Sequence, residues 1–427
     1  MKRHFNWLLP ALVFLVHLGV GVWYATRSER FEQRPTLGQV GEEFLRAFPG
    51  WDVVEEHDAA AYNRAAVTAR HTGVPRTRSG AVFWHAPLYA YFLAGCYWLG
   101  GIRLWSVAIP QAALLAGVAW LLARAAQRVA GNRPIAGWLA AGLILVNLRL
   151  AIYVGLMSSP AILVAFWMAL AIEALGAPLT HRRSLALAAV LGAACYTQAG
   201  MFVIALAAAG WLAWWGRRHP GGGARTAAAV IAVLALAKPV LVLAEPTDPL
   251  ALSDREILWE ANNPYYESMT WTSAWERRPG NPWTRWQASA TETARFAEYE
   301  ARSRRTGTSP AWLWVRENPG HYAKLCWIRL RTTLGPHTGQ MSPRNRWFAL
   351  GWWLVVAPAG VWGWWRGRRT GLGQFAAVTW AGLLVMSGLV IMDWYLRYRI
   401  PGELVLVPFA AAVYAGAKQG ADEPNHA

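Results

Sequence analysis

An acidic cluster near the amino terminus holds the first residues whose chemistry suggests a function. Asp52, Glu55, Glu56 and Asp58 lie close together, with His57 among them. Asp58 opens a helical pattern, DAAAYNRAAVTARHTG, and aspartate is a preferred residue at a helix N-cap. A carboxylate there either caps the helix or acts as a base or charge stabiliser. The sequence leaves both roles open for Asp58.

A second candidate is the polar turn DWYLRYRIPGE at residues 393–403, which holds Arg397 and Arg399. Guanidinium groups bind phosphate through paired hydrogen bonds, so two arginines in one short turn favour an anion site. The alternative is that these arginines form ion pairs with Asp393 or Glu403, or extend along apolar surface to reach water.

Weaker candidates are His85 and Tyr89 in WHAPLYAYFL, an aromatic stretch typical of a membrane-interface anchor. Lys238 lies near the end of an apolar segment, where a lysine is expected to reach toward the surface. The sequence contains no phosphate-binding G-x-x-x-x-G-K-S/T motif, no H-E-x-x-H and no cysteine pair with zinc spacing. We therefore predict no metal site and no cofactor, and a divalent metal has no support in the sequence.

The elements that carry these residues are predicted to be membrane helices. Hydrophobic residues make up 55% of the 427 residues and charged residues 15%, against about 25% charged in an ordinary soluble domain. We predict an all-α polytopic membrane protein with about ten spans, and a short interfacial or re-entrant helix over 86–99. The predicted spans are 6–25, 103–123, 135–154, 160–177, 184–197, 200–215, 225–244, 346–365, 371–392 and 403–417.

The distribution of basic residues predicts the orientation. The net charge is +17, and the arginines cluster in short turns between spans, which suits the positive-inside rule and anionic lipid headgroups better than nucleic acid. We therefore expect a plasma (inner) membrane protein with both termini in the cytoplasm. Three units are predicted: residues 1–244 with a first outside loop over 26–102, an extracytoplasmic domain over 245–345, and residues 346–427. The middle unit should contain a helix over 287–306 and an amphipathic helix over 311–334 that is broken near Pro319.

Five motifs, in order, resemble those of the GT-C superfamily of integral membrane glycosyltransferases. The resemblance is strongest to bacterial relatives of the protein mannosyltransferases and of the lipid A aminoarabinose transferase. The motifs are Asp58 with Tyr62, PLYAYFLAGCYWLGG at 87–101, LWEANNP at 258–264, WVRENPGHYAKLCWIRLRTTLGP at 314–336 and RYRIPGELVLVPFAA at 397–411.

The resemblance implies transfer of a sugar from a polyprenyl-phosphate donor to a lipid, glycan or protein acceptor on the extracytoplasmic face. It makes Asp58 the catalytic carboxylate and places the lipid phosphate at Arg397 and Arg399. The other substrate-binding residues that it implies are Tyr62, His85, Tyr89, Asn262 and Asn263.

The sequence departs from the family pattern at two places. Met157-Ser158-Ser159 stands where relatives carry a carboxylate, and Gln198 stands where they often have arginine. Two alternatives to an enzyme therefore remain. One is a non-catalytic protein that binds lipid-linked sugar or a partner, and the other is a transporter of lipid-linked saccharides. Paired broken helices or buried charges at mid-membrane would favour the transporter.

Overall fold

A computed structural model describes most of the helical part of the chain. The described residues are 5–27, 58–77, 80, 82–83, 86–155, 159–198, 200–219, 223–244, 290–336, 343–389 and 397–417. Within these ranges the structure is helical, and the one β pairing is an isolated bridge between Arg76 and Val82.

The sixteen described helices match the predicted segments closely. They are α1 (Phe5–Arg27), α2 (Asp58–Thr72), α3 (Pro87–Gly100), α4 (Leu104–Val129), α5 (Pro134–Leu145), α6 (Leu148–Val154), α7 (Ala161–Leu175), α8 (His181–Thr197), α9 (Met201–Arg218), α10 (Ala224–Ala244), α11 (Ala290–Thr306), α12 (Pro310–Glu317), α13 (Pro319–Leu334), α14 (Pro343–Gly367), α15 (Gly371–Leu389) and α16 (Ile400–Tyr414).

The class predicted from the sequence, an all-α polytopic membrane protein, is confirmed. By length and composition, α4 and α15 are able to cross a membrane, and α5 and α6 together would make a third span. Shorter apolar helices occur at Trp7–Trp23, Ala161–Leu175 and Ile400–Tyr414. The predicted number of ten spans is not confirmed, because most of the described helices are shorter or less apolar than a full span requires.

Helix α16 lies at the centre of the bundle. It packs against α14 on one side and against α4, α5 and α7 on the others. Residues 400–412 of this helix are all buried. A helix that is apolar on every face must be surrounded by other helices. A polar side chain on α16 therefore meets protein and not lipid.

The span predicted over 135–154 is in fact two helices, since α5 and α6 meet at a bend of 59°. Such a break frees backbone groups that need new partners inside a membrane. The indole nitrogen of Trp352 donates to the carbonyl of Leu143 at 3.0 Å, and the His17 ring lies 3.4 Å from the carbonyl of Asn147. These side chains from α14 and α1 stabilise the broken end.

Glycine allows α1 to approach α6 closely. A Cβ atom on Gly21 would lie 2.6 Å from the carbonyl oxygen of Ala151, and one on Gly155 would clash with the backbone of Gly21. Small residues permit this kind of backbone contact between helices in membranes. The contact fixes α6 beside α1 just after the bend.

Helices α11 to α13 form the described part of the predicted extracytoplasmic domain. Arg302 of α11 pairs with Glu317 of α12, and the Tyr299 hydroxyl donates to Glu317 at 2.9 Å. The hydrogen bonds from Arg302 hold the pKa of the Glu317 carboxyl below its ordinary value. The helix predicted over 287–306 is confirmed for Ala290–Thr306, the part that the structure describes, and the break near Pro319 is confirmed. The boundaries predicted for the three units stay predictions.

Candidate functional site

Two of the predicted site residues, Tyr62 and Tyr89, contact each other. Both are buried, and their rings meet edge to face with centroids 5.1 Å apart. Tyr62 also meets the edge of Phe83 at 5.8 Å. The contact holds α2 against α3, so the two motifs that are 27 positions apart in the sequence form one surface.

The same pair leads to the start of α7. The hydroxyl of Tyr89 interacts with the backbone of Ser159, two residues before that helix begins. Helix α2 begins at Asp58, four residues before Tyr62. Tyr62, Tyr89 and Ser159 therefore belong to one neighbourhood.

Arg399 is held by several contacts within the protein. Its Nε donates to Glu403 Oε1 at 2.6 Å, and its Nη1 donates to the carbonyls of Thr333, at 3.2 Å, and Gly335. The guanidinium also lies 4.4 Å from the ring centroid of Trp353. These bonds tie the end of α13 to the start of α16. The ion pair with Glu403 is one of the two alternatives that the sequence left open, while binding of a phosphate by Arg399 stays a prediction.

The side chain of Arg397 has different neighbours from that of Arg399. It is half-buried, with its guanidinium 5.0 Å from the ring centroid of Tyr398 and its Nη2 3.3 Å from the Tyr398 hydroxyl. Tyr398 in turn packs on Gly200, where a Cβ would lie 3.1 Å from a ring carbon. The two arginines that the sequence grouped as one anion site therefore lie in different surroundings.

Sequence analysis missed Arg149, which forms an ion pair with the second oxygen of Glu403. Arg149, Glu403 and Arg399 are all buried and come from α6, α16 and the turn before it. An ionisable residue inside an apolar segment is by default a functional candidate, and the sequence LILVNLRLAIYV around Arg149 carries that feature. We call Arg149, Glu403 and Arg399 the buried charge cluster.

A further buried cation is Lys238 of α10. The sequence predicts that its side chain reaches the surface, but the structure buries it. Only 8% of it is exposed, and its Nζ donates to the carbonyl of Cys195 at 3.2 Å. This carbonyl lies three residues before Gln198, at the turn between α8 and α9. Because Lys238 is buried against the end of α8, its ammonium group donates to a backbone carbonyl there instead of to water.

The polar candidates gather at one end of the helical bundle. Tyr89 reaches Ser159, Tyr398 packs on Gly200, and Arg399 bonds to Gly335, so the loops that carry them lie side by side. The arginine-rich turns meet at the opposite helix ends, where Arg128 bonds to Glu173 at 2.6 Å and Arg133 to the carbonyl of Ala415 at 3.1 Å. This separation agrees with the two faces predicted from the charge pattern.

Several predicted residues lie outside the described residues. They are His85, Asn262, Asn263 and Asp393, together with the side chain of Asp58. Among the described residues, no group of three or more His, Cys, Asp or Glu side chains could hold a metal ion.

One solved structure is similar to this chain. No family model matches the chain, and no curated protein matches it. The chain is similar to ArnT from Cupriavidus metallidurans bound to undecaprenyl phosphate, with 14% sequence identity and a TM-score of 0.37. The similarity covers 88% of this chain and 78% of ArnT. Both values are low, so any function has to be inferred from the residues of this chain.

Proposed function

We propose that this protein is a membrane glycosyltransferase that moves a sugar from a polyprenyl-phosphate donor to an acceptor on the extracytoplasmic face. One observation carries the proposal. Tyr62 of α2 contacts Tyr89 of α3, Tyr89 reaches Ser159, and Arg399 bonds to Gly335, and these contacts support a shared site away from the arginine-rich turns. Four of the five sequence motifs that resemble the GT-C superfamily have described residues in these elements, and LWEANNP at 258–264 lies outside the described residues.

The proposed chemistry needs a base on one side of the sugar and positive charge on the other. Asp58 would remove the proton from the acceptor hydroxyl as that oxygen attacks the anomeric carbon. The bond from that carbon to the lipid phosphate would break at the same time, which inverts the configuration. A positioned base contributes about 10²–10⁴-fold, and cationic side chains would stabilise the charge that develops on the leaving phosphate.

The decisive experiment is Asp58→Asn in the full chain. Asparagine keeps the size and much of the capping ability of aspartate but cannot act as a base. We expect unchanged protein abundance and loss of sugar transfer by about 10²-fold or more. Asp52→Asn is the matched control, because it removes a carboxylate from the same acidic cluster, and it should keep transfer. Undecaprenyl phosphate carrying a sugar is the first donor to test, since ArnT was solved with undecaprenyl phosphate.

Transfer at the wild-type level in Asp58→Asn would contradict the assignment of Asp58 as the base. If the wild-type protein transfers no sugar from any donor tested but binds polyprenyl phosphate, the non-catalytic binding protein becomes the better proposal.

A transporter of lipid-linked saccharides is the second candidate, and two observations favour it. The α5–α6 pair is a broken helix, and Arg149 and Glu403 are charges buried among helices. Transporters commonly use both features at their substrate sites. Movement of a fluorescent lipid-linked saccharide across a vesicle bilayer, without a change in its glycan, would support this candidate over the enzyme.

A further inference from the structure

The buried charge cluster is not electrically balanced. It contains two guanidinium groups and one carboxylate, which gives a net charge of +1 if all three are ionised. Glu403 uses one oxygen for Arg399 and the other for Arg149, so the carboxylate has no oxygen left for a third cation. A buried charge without compensation is strongly unfavourable.

The bonding of the two arginines differs. Arg399 has two backbone carbonyls and the face of Trp353 in addition to Glu403. Arg149 is 9% exposed, and its Nε and Nη1 atoms are buried without a hydrogen-bond acceptor in the described part of the chain. Besides Glu403, it has the ring of Trp352, whose centroid lies 5.7 Å from the guanidinium carbon. Arg149 therefore keeps two nitrogen donors for a further ligand.

We propose that Arg149 binds a phosphate-type oxyanion, with Glu403 as the residue that positions it. Nε and Nη1 together carry three N–H bonds, and phosphate oxygens are strong acceptors for such donors. A bound monoanion would also bring the cluster to neutrality. Glu403 holds the guanidinium from its Nη2 side, so that the two other nitrogens remain for the ligand.

The position of Arg149 favours a ligand that reaches the polar end of the bundle. It pairs with Glu403 in the first turn of α16, beside Arg399, which bonds to the carbonyl of Gly335. This step rests on the proposed function: if the protein uses a polyprenyl-phosphate donor, the oxyanion is the lipid phosphate. Inorganic phosphate has the same chemistry, and the experiment separates the two sources.

The test compares ligand-induced stabilisation of the full-length wild type with that of Arg149→Gln in detergent micelles. A ligand that binds the folded state raises the unfolding temperature. We expect undecaprenyl phosphate to stabilise the wild type, and its affinity to fall about ten- to a hundredfold in Arg149→Gln, because charge-assisted hydrogen bonds are lost. Undecaprenol, which lacks the phosphate, should bind both proteins equally. Arg149→Lys should restore binding in part, since lysine keeps the charge without the guanidinium geometry.

The matched control is Arg128→Gln, which removes an arginine bonded to Glu173 at the opposite end of the bundle. It should keep the affinity of the wild type for undecaprenyl phosphate. Without ligand, Arg149→Gln should be at least as stable as the wild type, because it leaves Glu403 and Arg399 as a balanced pair. This expectation makes loss of binding separable from loss of folding.

The binding measurements distinguish a lipid phosphate from a soluble phosphate, and the oxyanion site from the proposed enzyme function. Stabilisation by inorganic phosphate alone, lost in Arg149→Gln, supports the oxyanion site and assigns it to a soluble phosphate. Equal affinity of the wild type and Arg149→Gln for both phosphate ligands would overturn the proposal, as would equal losses in Arg149→Gln and Arg128→Gln. A wild type that binds phosphate through Arg149 but never transfers sugar would keep this inference and remove the proposed enzyme function.

Discussion

At the scale of single residues, the structure separates two arginines that look equivalent in the sequence. Arg397 and Arg399 are two positions apart in one turn, yet Arg399 is buried against Glu403 while Arg397 is half-buried beside Tyr398. The contacts of Arg399 are those of a residue that holds α13 to α16. Arg149, whose Nε and Nη1 have no hydrogen-bond acceptor in the described part of the chain, is 254 positions before Glu403 in the chain.

We predict that Arg399→Gln mainly destabilises the fold. The substitution leaves the carbonyls of Thr333 and Gly335 without their cationic partner, and each buried acceptor that loses its donor costs about 1–3 kcal/mol. The measurement is the free energy of unfolding in denaturant, with Arg397→Gln as control. Arg397→Gln should have a smaller effect, because Arg397 is only half-buried. Equal stability of Arg399→Gln and the wild type would show that these contacts are dispensable.

At the scale of elements, the break between α5 and α6 places Arg149. The bend turns α6 away from the axis of α5, and the contacts of Trp352 and His17 stabilise the freed backbone. The close approach of α1 then fixes α6 from the other side. If α5 and α6 formed one straight helix, the Arg149 side chain would not be aimed at Glu403.

We predict that Gly21→Ala disrupts this arrangement. The added Cβ would lie 2.6 Å from the carbonyl oxygen of Ala151, so α1 and α6 must move apart, at a cost of about 1–3 kcal/mol. Gly19→Ala is the matched control on the same helix, because a Cβ there meets no atom within 4 Å. Thermal unfolding of both variants tests the prediction. If Gly21→Ala unfolds at the wild-type temperature, the close contact does not hold the two helices.

At the scale of the whole molecule, the protein has two chemically different ends. One end carries the aromatic and charged candidates, and the other carries the arginine-rich turns with the Arg128–Glu173 pair. From the positive-inside rule we expect the arginine-rich end to face the cytoplasm. This orientation is required by the proposed function, since the donor sugar is used on the opposite face.

We predict that single cysteines report this orientation in intact cells. Arg70→Cys and Ala301→Cys, both at exposed positions, should react with a membrane-impermeant thiol reagent. Arg182→Cys, exposed at the arginine-rich end, should react only after the membrane is permeabilised. The background protein should carry Cys326→Ser, because Cys326 is the one native cysteine that is not buried. Labelling of Arg182→Cys alone would reverse the orientation and contradict the polyprenyl-donor proposal.

The sequence by itself determined the helices and the class of the protein. Apolar runs and their boundaries depend on neighbouring residues, so the segments predicted from them reappear as helices within a few positions. The helical pattern that begins at Asp58 likewise reappears as α2, because helical geometry is local. Only the tertiary structure decided which charges compensate each other. The pairing of Arg149 with Glu403 joins distant parts of the chain, and it depends on the bend after α5 and on the central position of α16. No local pattern encodes such a contact, because burial and partner choice are set by how the helices pack.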